Sequence, residues 1–119
     1  AMNLVQLEIV EGGVQFGDEV LPIDKSILSK ASSNKVTVGV RPEKLRISSE
    51  ILPSAHFSFP GEVDAVVYHG SESHVYLKTD AGPLLCATLT NLSRSSVRPE
   101  KGERLWIGWA PEDTLVLSE

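Results

Sequence analysis

The chain has one cysteine, Cys86, so no internal disulfide can form. Small scaffolds without a core rely on several such bonds. A chain of 119 residues can instead bury a core as one domain. Cys86 stands among alternating apolar residues and reads as a buried, inert thiol. A single unpaired cysteine fits a reducing, cytoplasmic setting. Aromatic residues are scarce: two tryptophans, two tyrosines and three phenylalanines. No apolar run approaches the roughly 18 residues of a membrane-spanning helix. No basic-then-apolar leader opens the chain. Ala1 and Met2 read as a cloning remnant, as in a domain excised from a longer protein. No run of five like charges occurs, and 11 Lys and Arg stand against 16 Asp and Glu, a net charge of −5. That balance speaks against a nucleic-acid partner, whose usual footprint is a basic patch.

Catalytic strings are missing too. A phosphate-cradling loop needs Gly-x-x-x-x-Gly-Lys-[Ser/Thr], and the chain has none. Gly12, Gly13 and Gly17 do not form the dinucleotide fingerprint. There is no His-Glu-x-x-His, and one cysteine cannot build a standard zinc site. Ser71 lacks the flanking glycines of a nucleophile elbow. His69, Glu72 and His74 flank one turn and hold two imidazoles and a carboxylate, but no further ligand lies near. The turn reads as a solvated hairpin tip. The sequon at Asn91, Leu92 and Ser93 carries no meaning in a cytoplasmic protein.

What the chain does have is alternation. Residues 4–10 place Val5, Leu7 and Ile9 on one face. Gly12 and Gly13 predict a hairpin turn, 14–16 the return strand, Gly17 and Asp18 another turn. Residues 19–23 form a strand that Pro22 assigns to an edge. Residues 24–31 are the one helical stretch, with Asp24 as cap and Ile27 and Ala31 on a shared face. Val36, Val38 and Val40 alternate before Pro42, which interrupts the ladder. Leu45 and Ile47 alternate after it, so the stretch reads as strand, rigid corner, strand. Residues 49–59 read as a connection between two halves. Residues 62–68 then align Val63, Ala65 and Val67, residues 74–79 return, and 84–90 place Leu85, Ala87 and Leu89 together. Strands follow at 104–109 and 114–117. Short strands at this spacing predict an all-β fold, a small barrel or sandwich of antiparallel strands, with at most one or two short helical turns.

Val-Arg-Pro-Glu-Lys occurs at 40–44 and again at 97–101. The flanks differ, since the first copy follows a strand and the second precedes one. Coincidence explains the pair better than an internal repeat. Trp106 and Trp109 lie three apart on one strand and face opposite ways, one toward the core and one toward a contact surface.

Particular strings resemble the C-terminal transport-associated OB (TOBE) domain of ATP-binding subunits of ABC importers. They are Asn3 and Leu4 before a strand; Val38, Gly39, Val40, Arg41, Pro42, Glu43 and Leu45; and Gly61, Glu62 and Val63. Tyr68, His69, Gly70 and Ser71 follow, with His69 where the family has Leu. Asp80, Ala81 and Gly82 come next, then 99–103 and 107–112. Their order is the family's, and the turn at Gly70 and the ending Trp-Ala-Pro-Glu look most like the polyamine (spermidine/putrescine) branch. The resemblance implies two small OB-like barrel lobes, at about 3–52 and 57–119, with strand exchange between them. It implies a regulatory domain that binds no cofactor, ATP and Mg belonging to an ATPase part that this chain lacks. Its implied partners are a second copy of the ATP-binding subunit, permease subunits through the ATPase part, and a regulatory protein or small ligand. The setting it implies is peripheral, on the inner face of the cell membrane.

On that reading Gly39, Arg41, Pro42, Glu43 and Gly70 are structural motif residues. Arg41 and Glu43 are expected to hold the corner through a mutual or backbone hydrogen bond. Tyr68, Trp106, Trp109 and the apolar edge at 20–23 are the candidate contact surface. A second reading makes the chain a small-ligand or oxyanion sensor of a sugar, phosphonate or iron importer, with Arg41, Lys44 and Arg46 as anion contacts. A third is a nucleic-acid-binding OB barrel in which Tyr68 and Tyr76 stack bases.

Overall fold

The computed structural model describes residues 2–90 and 99–117. The strands are β1 (Asn3–Val10), β2 (Gly13–Phe16), β3 (Glu19–Pro22), β4 (Lys35–Val40) and β5 (Arg46–Ser48). They continue as β6 (Phe57–His69), β7 (Glu72–Thr79), β8 (Leu84–Thr90), β9 (Arg104–Trp109) and β10 (Leu115–Leu117). Helical structure among the described residues is α1 (Lys25–Leu28) and two single 3₁₀ turns, Pro42–Lys44 and Pro111–Asp113. The fold is all-β, as the alternation predicts.

The ten strands form two antiparallel five-stranded sheets, in the orders β10-β4-β1-β2-β3 and β5-β9-β6-β7-β8. Each sheet takes its first strand from the other half of the chain. Chain leaving β4 turns at Pro42–Lys44 and lays β5 beside β9, while chain leaving β9 turns at Pro111–Asp113 and lays β10 beside β4. The registers correspond residue for residue. Arg46 faces Gly108 and Ile47 faces Ile107 in one sheet; Leu115 faces Gly39 and Val116 faces Val38 in the other. Gly39 and Gly108, Pro42 and Pro111, and Glu43 and Glu112 are therefore equivalent positions of an internal repeat. The rejected pairing used the wrong partner: its second copy begins at 97, and 97 and 98 lie outside the described residues, as does the sequon at 91–93.

The corner is not held as the sequence suggested. Among the described residues, Arg41 and Glu43 make no side-chain hydrogen bond or ion pair, and both are exposed. Backbone bonds do the holding: Lys44 N–H donates to Arg41 C=O at 2.9 Å, and Leu45 N–H to Pro42 C=O at 3.3 Å. Pro42 presets φ, and Leu45, 1% exposed, is driven into the core behind it. The second corner adds a side-chain bond, from Trp109 Nε1–H to Thr114 Oγ1 at 2.8 Å.

Three further departures are local. Gly13 is already in β2, so the first turn is Glu11 and Gly12, with Gly12 at φ 92°. In α1 the inward residue is Leu28, while Ile27 is exposed, because the segment is too short for an i, i+4 stripe. Asp24 does cap it, its Oδ1 accepting from Ser26 N–H at 2.9 Å. In β6 the ladder slips between Val63 and Ala65, so a bulge reverses the alternation. Val66 packs on the core and Val67 faces solvent, opposite to the period-two expectation. β6 also begins earlier than the pattern suggested, so that Phe57 and Phe59 join the core.

The two sheets share one core. Phe16 of the first sheet meets Phe59 at 4.5 Å between ring centroids, Phe57 at 5.8 Å and Trp109 at 6.3 Å, all three from the second. The Phe57 and Trp109 contacts are edge-on, the arrangement ring quadrupoles favour. Phe16→Ala removes the first sheet's only partner in this group and leaves a cavity, with an expected loss of about 3–5 kcal/mol. A urea midpoint shift corresponding to less than about 1 kcal/mol would show that the cluster does not join the sheets.

Candidate contact surface

The candidate residues divide by where the strands aim them. Trp109 is 2% exposed and packs among Phe16, Phe57 and Phe59, so it is core and no contact residue. Trp106, on the opposite face of β9, is half-buried. It lines a groove of about 540 Å³ with Phe16, Phe59, Pro60, Asp18, Glu19 and Asp80. Tyr68 is 64% exposed near the end of β6, beside the tip formed by His69, Gly70 and Ser71. Gly70 takes φ 57°, the left-handed conformation that suits glycine in a tight turn. At the same tip the His69 and His74 rings lie 4.6 Å apart, and His74 Nε2 is 3.5 Å from Glu72 Oε1. Among the described residues no group of ligands that could hold a metal ion forms.

The outer face of the second sheet mixes apolar and polar residues. Across the β6–β7–β8 ladder Ala65, Tyr76 and Cys86 lie in one row, Val67, His74 and Thr88 in another, and Glu62, Lys78 and Leu84 in a third. Val67, Tyr76 and Leu84 are all exposed, Leu84 at 69%. Sequence reasoning missed Val67 because it could not see the bulge. At the edge of the first sheet, Val20 is exposed and Leu21 fully buried.

Arg41, Lys44 and Arg46 are exposed, and Arg46 lines a groove of about 330 Å³ together with Glu43 and Glu72. Two carboxylates beside one guanidinium disfavour an anion there. A surface ion pair joins Arg104 and Asp80 through two parallel bonds of 2.9 and 2.6 Å. The guanidinium holds the Asp80 carboxyl below its ordinary value, chiefly by hydrogen bonding.

Asn3 joins the two sheets. Its Oδ1 accepts from Cys86 N–H at 2.7 Å, and its Nδ2–H donates to Cys86 C=O at 2.9 Å and to Val40 C=O at 3.2 Å. The side-chain amide thus completes the outward N–H and C=O of Cys86 on edge strand β8, as a neighbouring strand would. Burial raises the Cys86 thiol above its ordinary value, which fits an unreactive cysteine.

The TOBE domain family matches residues 38–117, and the MalK OB fold domain family matches residues 1–45. The diacetylchitobiose uptake system ATP-binding protein MsiK of Streptomyces coelicolor is 32% identical over 132 aligned positions, which cover 99% of this chain and 34% of that protein. The spermidine/putrescine import ATP-binding protein PotA of Thermobifida fusca is 32% identical over 83 positions, covering 69% of this chain and 21% of that protein. PotA of Ruegeria pomeroyi is 29% identical over 89 positions, covering 75% and 23%. The chain therefore spans about a third or less of these curated relatives. Among solved structures, the cytoplasmic molybdate-binding protein ModG with molybdate bound superposes with a TM-score of 0.75 over 98% of this chain and 96% of that one. At 10% identity the likeness is one of fold alone.

Two measurements check these contacts. Asn3→Ala leaves a β8 edge N–H without its partner and is expected to cost about 1–3 kcal/mol in urea unfolding. An unchanged midpoint would mean that water replaces the amide fully. For Asp80, a depressed folded pKa means that the pair stabilises the fold above the unfolded carboxyl value and fades as pH falls through the folded one. Arg104→Ala should raise the Asp80 pKa toward the ordinary carboxylate range in an NMR titration; no change would remove the guanidinium as the cause.

Proposed function

Because the chain belongs to the TOBE domain family, we propose that it is the regulatory and dimer-contact domain of the ATP-binding subunit of an ABC importer. Its role is non-catalytic on this reading, ATP and Mg being held by the ATPase part of the same subunit. The supporting observation in the structure is the exposure of three large apolar residues, Val67, Tyr76 and Leu84, on the outer face of the second sheet, which one core locks to the first. Isolated exposed apolar residues are ordinary, but three on one sheet face suit a protein contact. These three form the surface proposed for a second copy of the subunit; Tyr68, which its pairing with Ser73 places on the opposite face of β6, and half-buried Trp106 are proposed as separate contacts. A rigid body that touches its twin favours one arrangement of two ATPase parts, which is coupling between sites and not chemistry. The permease is reached through the ATPase part, which places the domain at the inner face of the cell membrane.

For cargo we propose polyamines, on the strength of the matches to spermidine/putrescine import proteins. A sugar is the second reading, since the match to the diacetylchitobiose uptake protein covers more of the chain. In the reconstituted importer, polyamine-loaded binding protein should stimulate ATP hydrolysis and chitobiose-loaded protein should not. The reverse result assigns the sugar. Deleting residues 3–119 should uncouple hydrolysis from transport, and Tyr68→Ala with Tyr76→Ala should weaken coupling several-fold. Undiminished coupling after the deletion would overturn the regulatory role.

A further inference from the structure

The two halves of the internal repeat differ in what covers one position. Gly39 and Gly108 are equivalent, each on the outer face of its sheet and each covered. Over Gly108 the cover is Leu52, whose Cδ1 would lie 2.8 Å from an added Cβ. Leu52 belongs to the connection that leads into β6 and folds back across the outside of β9. β1 pairs with β4 as β6 pairs with β9: Asn3 faces Val40 where Phe57 faces Trp109, and Glu8 faces Lys35 where Glu62 faces Arg104. The counterpart of Leu52 is thus a residue five positions before Asn3.

Over Gly39 the nearest atoms to an added Cβ are Met2 Sδ at 2.7 Å, Leu4 Cδ2 at 3.1 Å and the Asn3 carbonyl oxygen at 3.5 Å. Leu4 is itself 58% exposed, and Leu117, two residues along β10 from Leu115, is also exposed. The outer face of the first sheet is therefore apolar at this end, while Glu8 and Lys35 occupy the other.

We infer that this face, Leu4, Leu115 and Leu117, is the seat of the polypeptide that leads into Asn3 in the full-length subunit. It sets an apolar side chain over Gly39 of β4 as the connection before β6 sets Leu52 over Gly108 of β9. The inference rests on the reading above, that the chain is one part of a longer ATP-binding subunit, and on relatives about three times its length. Coverage by this leader orients the domain on the part before it, because the leader is held on the sheet rather than tethered loosely.

The test is hydroxyl-radical footprinting of the full-length subunit beside the 119-residue chain, read by mass spectrometry at single residues. Oxidation of Leu4 and Leu117 is expected to slow at least fivefold in the full-length protein, while Ile51, 67% exposed on the other connection, keeps its rate. Equal rates at Leu4 and Leu117 in the two proteins overturn the inference. Protection that grows with concentration in the 119-residue chain, together with a dimer mass by light scattering, assigns the face to a second copy and also overturns it. Nucleotide binding by the same full-length sample separates the two readings. Leu4 protected without ATP binding sinks the ATPase reading and keeps the leader; ATP bound with Leu4 unprotected does the reverse.

Discussion

Each sheet is incomplete without a strand from the other half of the chain. β4 needs β10, β9 needs β5, and the two strands reach their places through matching proline corners. A strand left without a neighbour exposes N–H and C=O groups and invites wrong pairing. The exchange covers β4 and β9 at once, leaving the three-residue strands β10 and β5 at those edges, and it joins the halves. The shared core follows from this, since Phe16 faces Phe57, Phe59 and Trp109 only because the sheets are fastened at their edges. Asn3 adds a third fastening, from the start of β1 to the free edge of β8.

A body so cross-linked transmits displacement more than it deforms, because close-packed interiors are stiff. That is the property wanted of a part that reports on the arrangement of its neighbours. The exposed groups lie on strands instead of long loops, so Tyr76, Leu84 and Val67 keep fixed spacings. Of the cations, Arg46 lines a groove beside two carboxylates, Glu43 and Glu72.

Much of the fold was legible because period two is a local signal. Val36, Val38 and Val40 point inward as alternation requires, and Pro22 sits on an edge strand. The family was legible from short strings in order. What escaped notice was non-local or out of phase. A bulge after Val63 leaves no mark in composition, so Val67 was placed on the wrong face. The bonds of Asn3 span 83 residues, a distance at which sequence pattern says nothing. The repeat was hidden by a decoy: five identical residues drew the eye, whereas the true counterpart of Gly39 and Pro42 keeps only Gly108, Pro111 and Glu112. Trp106 and Trp109 were known to face apart, but their inward member is chosen by register with Phe57.

The exchange also sets an order of events during synthesis. β4 is complete by residue 40, yet its neighbour β10 begins at residue 115. The first sheet must therefore wait, with one side of β4 bare, until nearly the whole chain has left the ribosome. Pairings over such separations close slowly. A stop before residue 115 would remove β10 and cost the front half its outermost strand, although no residue of that half had changed.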